Sequence, residues 1–421
     1  METVDAVVVG AGPAGSTVAF ELARKGWSVL LAEEHSDVGQ PIQCAGLVSQ
    51  RVLNMAGSET MVLHRLGGAT IWSPSLGRLH FEANETRAFV IARNRLDSYL
   101  AERAVGAGAR LQTGWKFTRL RHVQGQEKER CVGEFRTPGG IAEVSSRLIV
   151  GADGVSSSVA RALGLKRPIE ILPAYQTVMH FPQADQDEVE IYLSHSLAPG
   201  FFGWSIPDGE GNIRVGVAMN AQKGMTAKQG HSELLKIMGK RHGKSLPDPA
   251  EIIVGGIPIG LVPTTVTSRG LIVGDAAAQV KPLSGGGIFT GMRCSQIAAQ
   301  AASSALSAPE EFSEKLQGYE SLWRKELGSE LEKALFFRRL FVRLTDADLD
   351  RLLDMLKESH LVSTIVAFGD IDFPTITAGA LLRQSPSLAR LFPKALAAFL
   401  RRRDGLVPDL SLGPAEERIQ R

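Results

Sequence analysis

The sequence predicts an α/β protein in three parts: a parallel-sheet domain assembled from separated stretches of chain, a mostly antiparallel sheet inserted into it, and a helical region after both. Three observations predict this. A strand, a glycine-rich turn and a helix open the chain, and the same order returns near residues 148–160 and 271–305. Between these returns, residues 169–262 switch to short alternating, β-rich runs set apart by turn residues. From about residue 309 the composition becomes helical, with Glu and Lys interspersed. The 421 residues suit two or three domains at roughly 150 residues each.

The first element is the most informative. Residues 4–34 run from an apolar strand into Gly10, Gly12 and Gly15, then a helix with Val18, Ala19, Leu22 and Ala23 at helical spacing. Gly26 ends the helix, and a second strand, Val29 to Ala32, stops at Glu33. This is the Rossmann-type dinucleotide fingerprint. Gly10 permits the tight turn, Gly12 lets backbone approach a pyrophosphate, and Gly15 lets the helix pack closely on the sheet. The helix N-terminus then offers free N–H groups and a favourable dipole to the phosphates. Glu33 stands where a carboxylate can accept both hydroxyls of a ribose.

The later elements follow in order. A helix is expected from Leu96 to Val105, ended by Gly106 and Gly108, and a strand from Leu148 to Val150. The latter meets a Gly-Ala-Asp-Gly turn and a helix beginning at Ser156 to Ser158, with Asp153 or a serine as its cap. In the β-rich stretch, Asp208 to Asn212 reads as a hairpin connection, and one helix, about Ser232 to His242, interrupts the strands. A further strand, Leu271 to Val273, ends at Gly274-Asp275. A loop with Pro282 and Gly285-Gly286-Gly287 then opens an Ala-rich helix, which suits backbone N–H groups set against an anion or a polarised carbonyl. The expected domains are 1–65, 88–168 and 255–305 for the dinucleotide-binding part, 66–87 and 169–254 for the substrate-binding sheet, and 306–421 for the helical region.

Composition sets outer bounds. Hydrophobic residues at 44% and charged residues at 22% are ordinary globular values and exclude wholesale disorder. Lys+Arg 47 against Asp+Glu 45 leaves a net charge of +2, so no global field draws nucleic acid, and none is expected as a partner. Cys44, Cys131 and Cys294 are too scattered for a disulfide framework or a zinc site, and His64, His80, His180 and His195 lack metal-ligand spacing. No metal is expected, and a reducing cytoplasmic compartment fits. Val4 to Val9 already reads as a strand, leaving no room for a leader, and no run of 18 apolar residues occurs.

Three motifs together resemble the flavoprotein family built like p-hydroxybenzoate hydroxylase: GAGPAG at 10–15 with Glu33, GADG at 151–154, and GDAA at 274–277 with Pro282 and the glycines. The resemblance implies FAD. It places Gly10, Gly12, Ala14, Gly15 and Glu33 on the ADP half, Asp275 on the ribityl chain, Gly287 and Ile288 by the flavin ring, and Arg93 near the cofactor. Within that superfamily the chain looks most like geranylgeranyl reductases. GQPIQCAGLVS at 39–49 resembles their cysteine-containing loop at the flavin, which brings in Cys44 and Ala45. FGWSIP at 202–207 is similar to their aromatic-x-Trp-x-Phe-Pro segment over the substrate cavity, which makes Phe202, Trp204 and Pro207 substrate-binding candidates. The helical extension, with YESLWRKELGSEL and FGDIDFP, completes the likeness. Phe202 stands where the family often has Tyr, so no phenol donates a proton there, and Ile206 replaces a Phe.

Such a reductase would saturate isoprenoid double bonds, and the chemistry sets its needs. An electron-rich alkene resists hydride unless a proton adds first or in concert, so a dry apolar tunnel, a flavin and one placed acid are required. Cys44 is the catalytic candidate close to the reacting centre, since a free thiol with a pKa of about 8.5 is mostly protonated at neutral pH and could donate or relay a proton. Phe201, Phe202 and Trp204 either wall a lipid cavity or form the core face of a sheet. Ala380 to Arg403 carries Arg383, Arg390, Lys394 and Arg401 to Arg403 among Leu and Phe without an acid, which suits peripheral contact with an anionic bilayer. The electron donor is NADPH or a ferredoxin-type protein. The rival functions are a flavin monooxygenase and a halogenase. Against halogenation, no lysine occurs from Gly26 to Trp115 to carry an activated halogen.

Overall fold

The computed structural model describes residues 1–391 except 125–128, 183, 185–186 and 222–223. Its first sheet has the order β8-β2-β1-β11-β10-β9, with β17 also on β11. The strands are β1 (Glu2–Val9), β2 (Val29–Ala32), β8 (Arg110–Gln112), β9 (Lys116–Gln124), β10 (Glu129–Thr137), β11 (Gly140–Gly151) and β17 (Gly270–Ile272). Strands β8, β2, β1, β11 and β17 run parallel, while β9 and β10 form an antiparallel meander on β11. Strand β11 serves both partners: residues 140–146 pair with β10 and 149–151 with β17. The near-continuous Val and Leu of β1 and β2 are buried on both faces, as a covered parallel sheet requires. On one face, Ala6, Val8 and Leu31 pack with helices α1 (Pro13–Ala23), α3 (Arg93–Gly106) and α6 (Ile288–Ser307). On the other, Val7, Val9 and Leu30 meet Phe117, Phe135 and Val159, the last from the short helix α4 (Ser158–Ala162).

A second seven-stranded sheet has the order β16-β12-β15-β14-β13-β5-β6. Its members are β5 (Gly68–Trp72), β6 (Arg78–Glu82), β12 (Glu170–His180), β13 (Glu188–Tyr192), β14 (Gly203–Pro207), β15 (Asn212–Ala218) and β16 (Glu251–Ile259). All its pairings are antiparallel except β13 with β5. Helix α5 (Ala227–His242) covers one face, where Leu234 and Met238 pack on Ile213, Val215 and Val217. The opposite face presents Leu172, Val189, Trp204, Ile206 and Ala218. A small sheet of β3 (Leu47–Val48), β4 (Val62–Leu66) and β7 (Ala88–Ile91), with helix α2 (Gln50–Ala56), lies in the chain between them.

The remaining described helices are α7 (Phe312–Trp323), α8 (Ser329–Phe341), α9 (Asp346–Leu356), α10 (Ser359–Phe368) and α11 (Pro374–Gln384), with a π-helical turn at Arg324–Gly328 joining α7 to α8. None of the described helices is long and apolar enough to cross a membrane.

Several boundaries differ from the sequence expectation for local reasons. Helix α3 starts at Arg93, because Arg93 and Asp97 pair one turn apart. Helix α5 starts at Ala227, behind a capping box of Thr226 and Gln229 that moves its start forward from Ser232. Helix α4, by contrast, begins at Ser158 as expected, where Asp153 accepts from the Ser158 and Val159 N–H groups and Ser157 from that of Ala160. Strand β16 carries the second sheet to Ile259, past the expected boundary at 254.

Candidate active site

The strand–helix turn at the N-terminus is shaped by close approach. Gly10 has φ +98°, and a side chain there would run into the Ala152 carbonyl; at Gly15 it would overlap the Gly10 carbonyl oxygen. Gly12 differs: nothing lies within 4 Å of where its Cβ would be. It is the N-cap of α1 and has no side-chain cap, so the first N–H groups of that helix face open space. Ala14 packs against Gly274 and Gly291, joining the first motif to the third. Glu33, buried at the end of β2, accepts from the Ala11 N–H at 2.9 Å and the His35 N–H at 3.0 Å, with the His35 ring at 2.7 Å.

The loop after β2 brings Cys44 to the same place. Its Sγ accepts from the Gly46 N–H at 3.3 Å. Two guanidiniums face it. Arg93 is held by Asp97 through two hydrogen bonds of 2.8 Å. Burial opposes its charge, yet Asp97 and Cys44 together hold it above the ordinary guanidinium value. Arg214, from β15, donates to the Ala45 carbonyl at 2.6 Å and the Ile91 carbonyl at 3.0 Å. Burial pulls Arg214 below its ordinary value, against the attraction of Cys44, Asp208 and Glu251. Asp97 itself is pushed up by burial, with Arg93 opposing and Glu33 reinforcing the shift.

Asp275 sits in a turn of 3-10 helix at Gly274–Ala277. Burial pushes its carboxyl above the ordinary carboxylate range, with Arg93 opposing. No hydrogen-bond donor meets that carboxylate among the described residues. Gly287 leaves room beside it, since a Cβ there would lie 3.0 Å from the Asp275 Oδ1. Gly287 is the uncapped N-terminus of α6, and Ile288 is its first residue. The open ground over Gly12, two uncapped helix starts and a half-buried carboxylate with no hydrogen-bond donor among the described residues fit a dinucleotide flavin, which would set its pyrophosphate at α1, a ribityl hydroxyl at Asp275 and its ring toward α6.

The candidates from the second sheet divide by face. Phe202 stacks on Phe201, with ring centroids 4.2 Å apart, and meets the Trp204 ring edge at 6.3 Å. Phe201 and Trp204 are buried and Phe202 half-buried, in the cluster that also includes Ala45 and Leu47 from the Cys44 loop. Pro207 is not brought there: strand alternation pairs it with Ile213, on the face under α5. Cys131 and Cys294 are buried packing residues. Of the basic stretch, Arg383 and Arg390 are described, whereas Lys394 and Arg401 to Arg403 lie outside the described residues.

Four residues of this region escape sequence reasoning. Asp97 was legible as an i, i+4 partner of Arg93. Arg214 and Gln176 each interrupt an apolar strand face. Lys281, buried beside Gly286, donates to Asp372 at 2.9 Å and to the Ile371 carbonyl at 2.7 Å, fastening the FGDIDFP segment to the glycine loop. Asp372 also accepts from Ser49 and, at 3.3 Å, from Arg51. No group of three or more His, Cys, Asp or Glu that could hold a metal occurs among the described residues.

Comparison with known proteins agrees with this geometry. The profile of the FAD binding domain family matches residues 3–309. The digeranylgeranylglycerophospholipid reductase 2 of Methanothermobacter thermautotrophicus is 34% identical over 398 residues, covering 92% of this chain and 98% of the relative. The digeranylgeranylglycerophospholipid reductase of Methanosarcina acetivorans is 32% identical over 385 residues, covering 84% and 88%. Among solved structures, a geranylgeranyl bacteriochlorophyll reductase-like protein from Thermoplasma acidophilum superposes with a TM-score of 0.82 at 24% identity, covering 95% of this chain and 99% of that one. A flavin-dependent brominase superposes with a TM-score of 0.68 at 15% identity, over 95% and 100% of the two chains, a likeness of fold alone. The chain belongs to the FAD binding domain family and, within it, to the digeranylgeranylglycerophospholipid reductase family.

Proposed function

We propose that this protein is an FAD-dependent reductase that saturates isoprenoid C=C bonds of a geranylgeranyl-type lipid or prenyl diphosphate. The observation that carries this function is the convergence, at Cys44, of the dinucleotide-binding loops with the apolar face of the second sheet. The names of the two archaeal relatives support the same substrate class.

Bound FAD, once reduced, supplies a hydride equivalent to one alkene carbon. The rest falls to the chain. Gly12, Glu33 and Asp275 would hold the cofactor's dinucleotide and ribityl parts, and Arg93, Gly287 and Ile288 would bind near its ring. Cys44 gives its Sγ proton to the second alkene carbon. The charge left on sulfur then faces Arg93 and Arg214 and accepts the Gly46 N–H, so the site stabilises the product of proton donation. Water restores the proton after product leaves. Phe202 and Trp204 wall the alkene side. Reducing equivalents come from NADPH or a ferredoxin-type protein, and the basic stretch near the C-terminus rests on an anionic bilayer from which the lipid enters. Co-sedimentation with anionic liposomes, before and after neutralising Arg401, Arg402 and Arg403, tests that contact.

Mass spectrometry of lipid incubated with the reduced holoprotein tests the reaction. A gain of one H2 per double bond, from a geranylgeranyl diether lipid or geranylgeranyl diphosphate, is expected and ranks the substrates. An oxygenated or halogenated product from an aromatic panel, with the isoprenoids untouched, would replace this function with a rival.

A further inference from the structure

The apolar face of the second sheet contains one polar side chain whose bonding is incomplete. Gln176, on β12, is only 3% exposed. Its row across the sheet is Ile253, Gln176, Gly216, Trp204 and Ile191, all pointing to the same face. Gly216 matters here, because a side chain at that position would collide with the Trp204 ring. The indole therefore lies across Gly216 and its Nε1–H reaches the Gln176 Oε1 at 2.8 Å. An indole nitrogen only donates, so this bond fixes which end of the amide is oxygen. The NH2 end is left buried with no hydrogen-bond partner.

Buried amide donors in native proteins are almost always paired, so an unpaired one in a binding face asks for an acceptor from outside the chain. The surroundings favour a ligand. Ala174, two residues along β12 from Gln176, is only partly buried, as are Phe202, which packs on Trp204, and Ile191 at the far end of the row. Arg214, which holds the Cys44 loop, projects from the same face two residues from Gly216. Strand rise and spacing put the Gln176 and Arg214 backbones about 8 Å apart. From there the Arg214 guanidinium reaches the Ala45 carbonyl beside Cys44, so one face carries both Gln176 and the residue that holds the Cys44 loop. An isoprenoid chain is pure hydrocarbon except for the oxygen on its first carbon, the one hydrogen-bond acceptor it brings into such a face.

We propose that the Gln176 carboxamide, oriented by Trp204, is the specificity-determining donor that binds the C1 oxygen of the isoprenoid substrate and so sets which double bonds lie beside Cys44. This rests on the reductase function proposed above. The oxygen belongs either to a glyceryl ether or to a phosphoester, and the same amide can serve both.

The test compares geranylgeranyl methyl ether with the hydrocarbon in which CH2 replaces that oxygen, using wild type, Gln176→Leu and Gln176→Met. The methionine variant keeps the side-chain length and a weak sulfur acceptor for the Trp204 N–H but donates nothing and carries no charge, so it separates the donor from the prop. Wild type is expected to favour the ether by about tenfold in kcat/KM, mostly through KM, the scale of one hydrogen bond made in a buried site. Both variants are expected to lose the preference, the ratio of ether to hydrocarbon in kcat/KM falling to about one. Equal wild-type rates on the two compounds, or variants that slow both alike, would overturn the proposal. Measuring the same ratio with geranylgeranyl diphosphate and with a geranylgeranyl diether lipid identifies the source, as the one whose kcat/KM falls in Gln176→Leu. Equilibrium binding of the fully saturated ether and hydrocarbon to the oxidised holoprotein is read separately. A Gln176-dependent preference there without any turnover would sustain the donor while removing the reductase function; no preference there would remove the donor.

Discussion

In the proposed reaction Cys44 gives a proton, and two neighbouring cations steady what remains. Replacing Cys44 by Ala should leave flavin content unchanged and lower the rate of alkene reduction about a hundredfold or more, the usual worth of a positioned general acid. Unchanged single-turnover rates would remove Cys44 from the chemistry. A second residue speaks to stability. Burial lowers the His231 pKa from 6.5 to about 4, although a backbone hydrogen bond at Val215 opposes it, and its ring sits 2.9 Å from the Thr177 hydroxyl. Below pH 6.5 the unfolded chain takes up a proton there that the folded state refuses, so stability falls as pH drops toward about 4 and this loss stops below it. His231→Gln should flatten that part of the urea midpoint against pH; an unaltered slope would mean that the imidazole is free to charge in the fold.

At the scale of an element, the turn into α1 separates two uses of glycine that look alike in the sequence. Gly15 is needed because the helix touches the Gly10 carbonyl, whereas Gly12 opens on free space. Gly15→Ala should therefore destabilise the fold by about 3 kcal/mol, as overpacking against backbone does. Gly12→Ala should change stability by only about 1 kcal/mol at a helix N-cap, yet lose most of the bound flavin. Thermal melts and the flavin-to-protein absorbance ratio check both; a Gly12→Ala protein that keeps its flavin would move the pyrophosphate elsewhere. The element was legible because strand, glycines, helix and acid stand in register within 31 residues, Val4 to Glu34. Helix α5 was placed late because the Thr226–Gln229 capping signal went unused, and the β9–β10 meander was not anticipated at all. Phe117 and Phe135 of that meander show their role only when folded against Val7 and Leu30.

At the scale of the molecule, the C-terminal helices are fastened to the flavin loop by Lys281 and Asp372, both buried and 91 residues apart in sequence. Asp372→Ala should cost about 3–5 kcal/mol by stranding the Lys281 charge, and Lys281→Met combined with Asp372→Leu should recover much of that loss. A cycle with no coupling energy would mean that the pair is solvated. Such long-range pairings mark where sequence reasoning stopped. The three glycine motifs declared the fold and the cofactor, because each needs special residues at fixed spacing. Arg214 and Gln176 could not be placed without knowing which strand faces lie over Cys44. Pro207 was misassigned for the same reason, since a motif match carries no information about the face. In the proposed reaction an isoprenoid alkene, and not oxygen, takes the electrons. Flavin absorbance followed after mixing the reduced holoprotein anaerobically with a geranylgeranyl diether lipid tests it most directly. Prompt reoxidation in step with loss of double bonds is predicted, whereas a flavin that stays reduced until oxygen is admitted would contradict it.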